Sequence, residues 1–303
     1  MPNKPHLNNT ISEFHKLRGW PKPSHPLVSV ISSGEMKSRI PDQPITLVNN
    51  FYTIALKRDF KAKMKYGQQE FDFDEGIMFF MAPGQVYSIE VDGDYRHTGW
   101  SLLIHPDFLW NTPLAKTIKQ YEFFGYAVNE ALYLSEKEEN TIADLIQNIE
   151  KEYRSNIDNF SQDVIIAQLE LLLTYANRFY HRQFLTRKIS NHKILERLEE
   201  LLADWFDDNK LHEKGLPTVQ YVSDKLNVSP NYLSGLLKIL TGQSTQQHIH
   251  DKLIEKAKEK LSGSDLSVSE IAYELGFEHP QSFSKLFKMK TSFSPLGFRQ
   301  SFN

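Results

Sequence analysis

Gln281, Ser284, Lys285 and Lys288 recur at the spacing of one helix side, while Phe283, Leu286 and Phe287 take the other. The polar set suits recognition, not bond breaking. A carboxamide donates and accepts at once, so Gln281 can pair with adenine, and the Lys285 ammonium can donate to guanine. Lys288 lies further along, where phosphate contact is expected, and Ser282 adds a hydroxyl near the start of the same stretch. An earlier stretch offers Asn231, Ser234 and Lys238 in corresponding places, with Gly235 where Lys285 stands. The later set is therefore expected to carry more of any base preference. Groups that would do covalent chemistry are missing. The chain has no cysteine, which excludes disulfides, thiolate zinc sites and a cysteine nucleophile. It has no Gly-x-Ser-x-Gly elbow, phosphate loop or His-Glu-x-x-His, and His97 and His105 stand alone on separate segments. No catalytic residue, metal ligand or cofactor is expected, and the chain is not expected to be an enzyme.

The elements that must position these side chains repeat. Residues 222–244 align with 271–294: Val222 with Ile271, Leu226 with Leu275, Asn227-Val228 with Gly276-Phe277, Leu233 with Phe283, Leu237 with Phe287, and Ser244 with Ser294. Each copy reads as a short helix, a tight turn and a second helix. Asn227 and Gly276 are residue types that tolerate the left-handed conformation after a first helix. Pro230 and Pro280 stand where a second helix would begin. One helix at about 244–261, with Ile249, Leu253, Ile254, Ala257 and Leu261 on one face, joins the copies. Two helix-turn-helix units held by one rigid helix can enter successive major grooves, roughly 34 Å apart.

Over roughly residues 190–303 the chain resembles the DNA-binding domain of the AraC/XylS family. Ile271, Ala272, Gly276, Phe277, Ser282, Phe283, Phe287, Lys288, Ser294, Pro295 and Arg299 fit its hallmark pattern. Ser292 departs from it, standing where the family usually has glycine, and Lys252 and Gly235 replace an arginine and a longer side chain that are frequent there. The resemblance implies sequence-specific binding to double-stranded DNA, with RNA polymerase a candidate partner. It also implies a cupin-like barrel that binds a small-molecule effector, followed by helices that dimerise.

The formal charge is −3, and residues 191–303 hold 14 Lys/Arg against 15 Asp/Glu, so any DNA surface must be a local patch. Lys285, Lys288, Lys290 and Arg299 supply one, since no acid follows Gln281. The expected fold is α+β and multidomain. Residues 1–26, dotted with Pro2, Pro5, Pro21, Pro23 and Pro26, read as a loose arm. Residues 27–134 read as a β-barrel or sandwich, because short runs rich in Val, Ile, Phe and Tyr alternate with turns such as Pro83-Gly84, and the family resemblance implies that it is a cupin-like, effector-binding barrel. Tyr52, Phe80, Tyr87 and Trp100 could line its pocket or simply fill its core. Residues 135–182 read as a helical dimerisation and connector segment, opened by the capping box Ser135/Glu138. Its apolar stripes, Leu169 and Leu172 among them, either cover the barrel or form a dimer seam. Residues 183–192 read as a linker. Residues 193–303 read as the all-α DNA-binding domain, with its units at about 218–240 and 267–290. No run approaches a membrane span, and the first residues lack the apolar core of a secretion signal, so a cytoplasmic location is expected, while the apolar stripes and the resemblance imply a homodimer. A barrel enzyme with a DNA-binding tail, and a constitutive DNA binder, are the alternatives.

Overall fold

The computed structural model describes residues 5–32, 45–58, 64–66, 69–71, 76–89, 98–127, 130–155, 158, 160–186, 188–207, 211 and 215–301. The chain divides into two compact units, Met1–Gln183 and Phe184–Asn303. His97 and part of the run expected as strands lie outside the described residues.

Among the described residues the first unit is built on three separate sheets. β2 (Val28–Ser32), β4 (Tyr52–Arg58), β7 (Ile77–Met81), β9 (Thr98–Ile104) and β10 (Leu132–Tyr133) form a five-stranded sheet in the order β10-β7-β4-β9-β2. β1 (His6–Asn8), β3 (Ile45–Asn49) and β8 (Val86–Ile89) form a second sheet, and β5 (Met64–Tyr66) and β6 (Gln69–Phe71) a ribbon. Among the described residues no ladder joins the sheets, so the expected closed barrel is an open arrangement. Alternating side chains specify which residues face inward but not whether the sheet edges meet. β4 is central and buried on both faces. Ile54 pairs with Phe80 and Leu102, which places Tyr52, Ile54, Leu56, Phe80 and Trp100 on one face. Thr53 pairs with Met81 and Leu103 on the other, which packs with Leu47 and Tyr87 of the second sheet.

The proline-dotted start of the chain is not a loose arm. Between the prolines, β1 pairs in parallel with β3, and α1 (Ile11–Arg18) buries Ile11 and Phe14 in the core between the sheets. Thr10 and Glu13 cap this helix reciprocally, and Gly19 at φ 68° stops it. α2 (Leu114–Thr117) and three short 3₁₀ turns follow β9. α3 (Glu136–Arg154) starts on the expected capping box: Ser135 Oγ accepts from the Glu138 N–H, and Glu138 Oε2 accepts from the Ser135 N–H at 2.9 Å. Arg182 of α4 (Ser161–Thr186) also bonds Glu138, at 2.6 and 3.0 Å, and so ties the two helices together. The Phe80 and Trp100 face lies under these helices, since Phe80 packs on Tyr180 and Trp100 Nε1 donates to Glu150. Leu169 and Leu172 are fully buried, which settles that they are core and not a seam.

Within the expected linker at 183–192 the described residues are helical. α4 runs to Thr186 and α5 (Lys188–Asp207) begins two residues later. Polar side chains there satisfy backbone groups: Gln183 accepts from the Tyr133 N–H at 2.8 Å, and Asn191 donates to the Phe184 carbonyl at 2.6 Å. The second unit continues with α6 (Val219–Leu226), α7 (Pro230–Thr241), α8 (Thr245–Gly263), α9 (Val268–Glu274), α10 (Pro280–Thr291) and α11 (Pro295–Gln300). Its core gathers Leu198, Leu202, Trp205 and Phe206 of α5, Val222, Leu226, Leu233 and Leu237 of the first copy, and Ile271, Leu275, Phe283 and Phe287 of the second. Among the described residues no helix is long and apolar enough to cross a membrane.

Candidate nucleic-acid interface

Each copy is punctuated as its residue types dictate. Thr218 caps α6, and Asn227 at φ 57° ends it in the left-handed region. Ser229 caps α7, with Pro230 in the first turn. In the second copy Ser267 and Glu270 form a capping box for α9, and Gly276 at φ 80° makes the turn into α10. Only glycine fits this turn, because a Cβ on Gly276 would come within 2.7 Å of Gly215 Cα and 3.0 Å of the Leu211 carbonyl oxygen. Ser244 and Gln247 box the start of α8, whose buried face carries Ile249, Leu253, Ile254, Ala257 and Leu261.

α8 does more than span. Asp251 accepts from Gln243, just beyond α7, and from Lys290 of α10, both at 2.7 Å. One carboxylate therefore holds both copies to the same helix turn. Lys260 bonds Glu274 of α9 at 2.6 Å, and Arg299 of α11 donates to the Leu261 and Leu266 carbonyls at 3.0 and 2.6 Å. Sequence reasoning missed Asp251, since nothing local distinguishes it from other helix-surface acids. It also counted Lys290 and Arg299 in the basic patch, and both are engaged within the fold.

The outer face of α10 carries Gln281, Ser282, Lys285 and Lys288, all exposed, with Ser284 half-buried. Phe283 and Phe287 are fully buried, and Leu286 is partly buried against the core. Among the described residues neither Lys285 nor Lys288 forms an ion pair. On α7, Asn231 and Lys238 are exposed and Ser234 is half-buried. Gly235, matched to Lys285 in the repeat, is buried, and Tyr232 packs edge-on against Phe184 at 5.0 Å. The two helices thus share a backbone plan and differ in available surface. The α10 set combines a carboxamide, hydroxyls and two ammonium groups, which can bond base edges and phosphates at once.

The four aromatic residues considered for a pocket do not converge. Tyr52 and Phe80 belong to a cluster with Phe123, Phe124 and Tyr180. Tyr87 lies in the other sheet, where its hydroxyl accepts from Asn49 Nδ2 at 2.8 Å and burial pushes its phenol up to about 12. Trp100 bonds Glu150 at 3.2 Å and stacks under the Arg58 guanidinium. Polar side chains that the sequence reading did not single out lie buried in the same unit: Arg18, Asn49, Thr53 and Lys57. Burial, helped by the charge of Arg18, brings the Lys57 ammonium down to about 7.

Residues 222–301 match the model of a family described as a helix-turn-helix domain. The chain is 33% identical over 144 residues to the HTH-type transcriptional activator RhaS of Escherichia coli O1:K1 / APEC, an overlap of 46% of each chain. It thus spans about half the length of the curated relatives it matches. Among solved structures, the C-terminal domain of the two-component response regulator yesN from Fusobacterium nucleatum is 30% identical, covering 34% of this chain and 95% of that one with a TM-score of 0.30. The DNA-binding domain of AdpA, in complex with a target DNA, is 26% identical over 35% of this chain and 91% of its own, with a TM-score of 0.31.

Proposed function

We propose that the protein is of the AraC/XylS type and regulates transcription by binding double-stranded DNA sequence-specifically through its C-terminal helix-turn-helix domain. The exposed face of α10 carries this reading: Gln281 and Lys285 address base edges, Ser282 and Ser284 adjoin them, and Lys288 holds phosphate. On α7, Asn231 and Ser234 make a lesser contribution and Lys238 touches phosphate. Selection of bound fragments from genomic DNA tests it. One recurring motif should emerge, and binding should fall with salt. A featureless pool of fragments would sink the proposal.

The first unit is the effector domain in this reading. Buried Arg18, Asn49, Thr53, Lys57 and Tyr87 support it, because a core serving stability alone would place apolar side chains there. A ligand changes DNA affinity only if it binds two states of the protein unequally. The protein is also a homodimer in this reading. With Leu169 and Leu172 in the core, the seam falls on the exposed stripe of α4 and the residue before it: Phe160, Val164 and Leu171, which are 71, 39 and 46% exposed. Sedimentation tests this. Val164→Asp with Leu171→Asp should give folded monomers, whereas an unchanged dimer would place the interface elsewhere.

A further inference from the structure

The first unit holds a cavity of about 580 Å³ that lies away from the aromatic cluster and from the core between the sheets. Its walls come from the chain leading into β2, the 3₁₀ turn at Pro106–Leu109 and the residues after it, the end of α3 and the start of α4. This volume falls in the range of small-molecule sites. Phe108 and Tyr153 are buried parts of the wall, His25 packs edge-on against Phe108 at 5.6 Å, and Trp110 is 71% exposed. His25 is a neutral imidazole: its Nδ1 accepts from the Leu27 N–H at 3.1 Å, and burial lowers its pKa.

The charged lining has one sign. Asp107, Glu152 and Asp158 border the cavity, and no lysine or arginine does among the described residues. The three carboxylates are not equivalent. Asp158 is committed, because its Oδ1 caps α4 by accepting from Phe160 and Ser161 at 2.8 and 3.0 Å. Asp107 stands 3.4 Å from His105 Nδ1, but that nitrogen already accepts from the Asp107 N–H and so cannot donate to the carboxylate. Glu152 has no side-chain hydrogen bond or ion pair among the described residues. The lining also includes a buried polar group with capacity to spare. Tyr153 is 8% exposed, and its oxygen accepts from the Ser24 N–H at 2.7 Å, while no acceptor among the described residues takes its proton.

We propose that this cavity binds a small organic cation that also carries a hydroxyl or carbonyl oxygen. Glu152 and Asp107 pair with the ammonium, the aromatic walls receive its apolar body with Trp110 facing the charge, and Tyr153 donates to the oxygen. The site lies wholly within the first unit and does not rest on the DNA-binding reading. Calorimetric titration of the full chain without DNA tests it, using tyramine and glucosamine as probes. Their charge-altered counterparts, 4-hydroxyphenylacetate and N-acetylglucosamine, are the controls. At least one amine should saturate while its counterpart does not. Glu152→Gln and Asp107→Asn, both isosteric changes, on a half-buried and an exposed residue, should each weaken that amine by roughly ten-fold with unchanged thermal melting. The proposal is overturned if neither amine saturates, if a counterpart binds as well as its amine, or if both variants bind as the parent does.

Discussion

α7 and α10 begin alike, on a proline in the first turn, and stop alike, on a left-handed residue. Yet α7 buries Tyr232, Leu233, Gly235, Leu236 and Leu237, whereas α10 buries Phe283 and Phe287. The repeat therefore fixes a backbone, not a readable surface. The cap of the first helix, the turn residues, the first-turn proline and the inward stripe are shared by both copies, because each copy needs them to fold. The outward positions are free to diverge, and in α7 one of them has been drawn into packing. Matching positions across a repeat is thus a safe way to find elements and an unsafe way to assign contacts.

The strongest way to break this contrast is to write the second copy's side chain into the first. Gly235→Lys places an ammonium where the backbone is buried. Replacing a helical glycine gains about 1 kcal/mol of propensity, but burying an unpaired charge costs several times that, so a net loss of at least about 3 kcal/mol is expected. Urea unfolding measures it. A variant of parent stability with altered base preference would mean that α7 is as open as α10. Next in size come Gln281→Ala and Lys285→Ala, each expected to cost about 1–3 kcal/mol on the cognate site and to relax preference at one or two base pairs. Asn231→Ala should cost less than about 1 kcal/mol, given the smaller open surface of α7. If site selection finds both α10 variants unchanged in preference, the assignment of α10 as the principal reader fails. Lys288→Ala should leave preference intact, weaken all sequences together, and lower the salt slope by about one unit.

What was legible in the sequence shares a property with what the two copies share: local rules enforce it. The capping box at Ser135, the turns at Asn227 and Gly276, and the buried phenylalanines of α10 follow from spacing within a few residues. The same rules at Thr10, Glu13 and Gly19 could have revealed α1, had the flanking prolines not drawn the segment toward an arm. Facts set by distant partners were out of reach. That Lys290 is held by Asp251, that Arg299 caps the carbonyl end of α8, and that Leu169 and Leu172 are buried in the core depend on tertiary placement. So does the separation of Tyr87 from Tyr52, Phe80 and Trp100, which only the strand register reveals. The acid-lined cavity draws on four separate stretches, none with a motif of its own.

The smallest effect sharpens the comparison at the helix ends. Gly242 closes α7 at φ 77°, and Ser292, its counterpart, closes α10 at φ 65°. Both donate their N–H to the lysine four residues back, Lys238 and Lys288, at 3.0 and 2.9 Å, so the cap is the same and only the side chain differs. A left-handed residue with a Cβ is strained relative to glycine by about 1 kcal/mol. Ser292→Gly should therefore stabilise by about 1 kcal/mol, less whatever glycine loses in unfolded-chain entropy. Gly242→Ser should destabilise by a similar amount. At Gly242 a Cβ meets nothing within 4 Å, so that substitution reports the backbone cost without a steric contribution. The two sites lie in separate copies, and the double variant should unfold within about 0.5 kcal/mol of the parent. Thermal or urea unfolding of the four proteins closes the cycle. A destabilised Ser292→Gly would show that the serine hydroxyl, not the backbone, decides how the second copy ends.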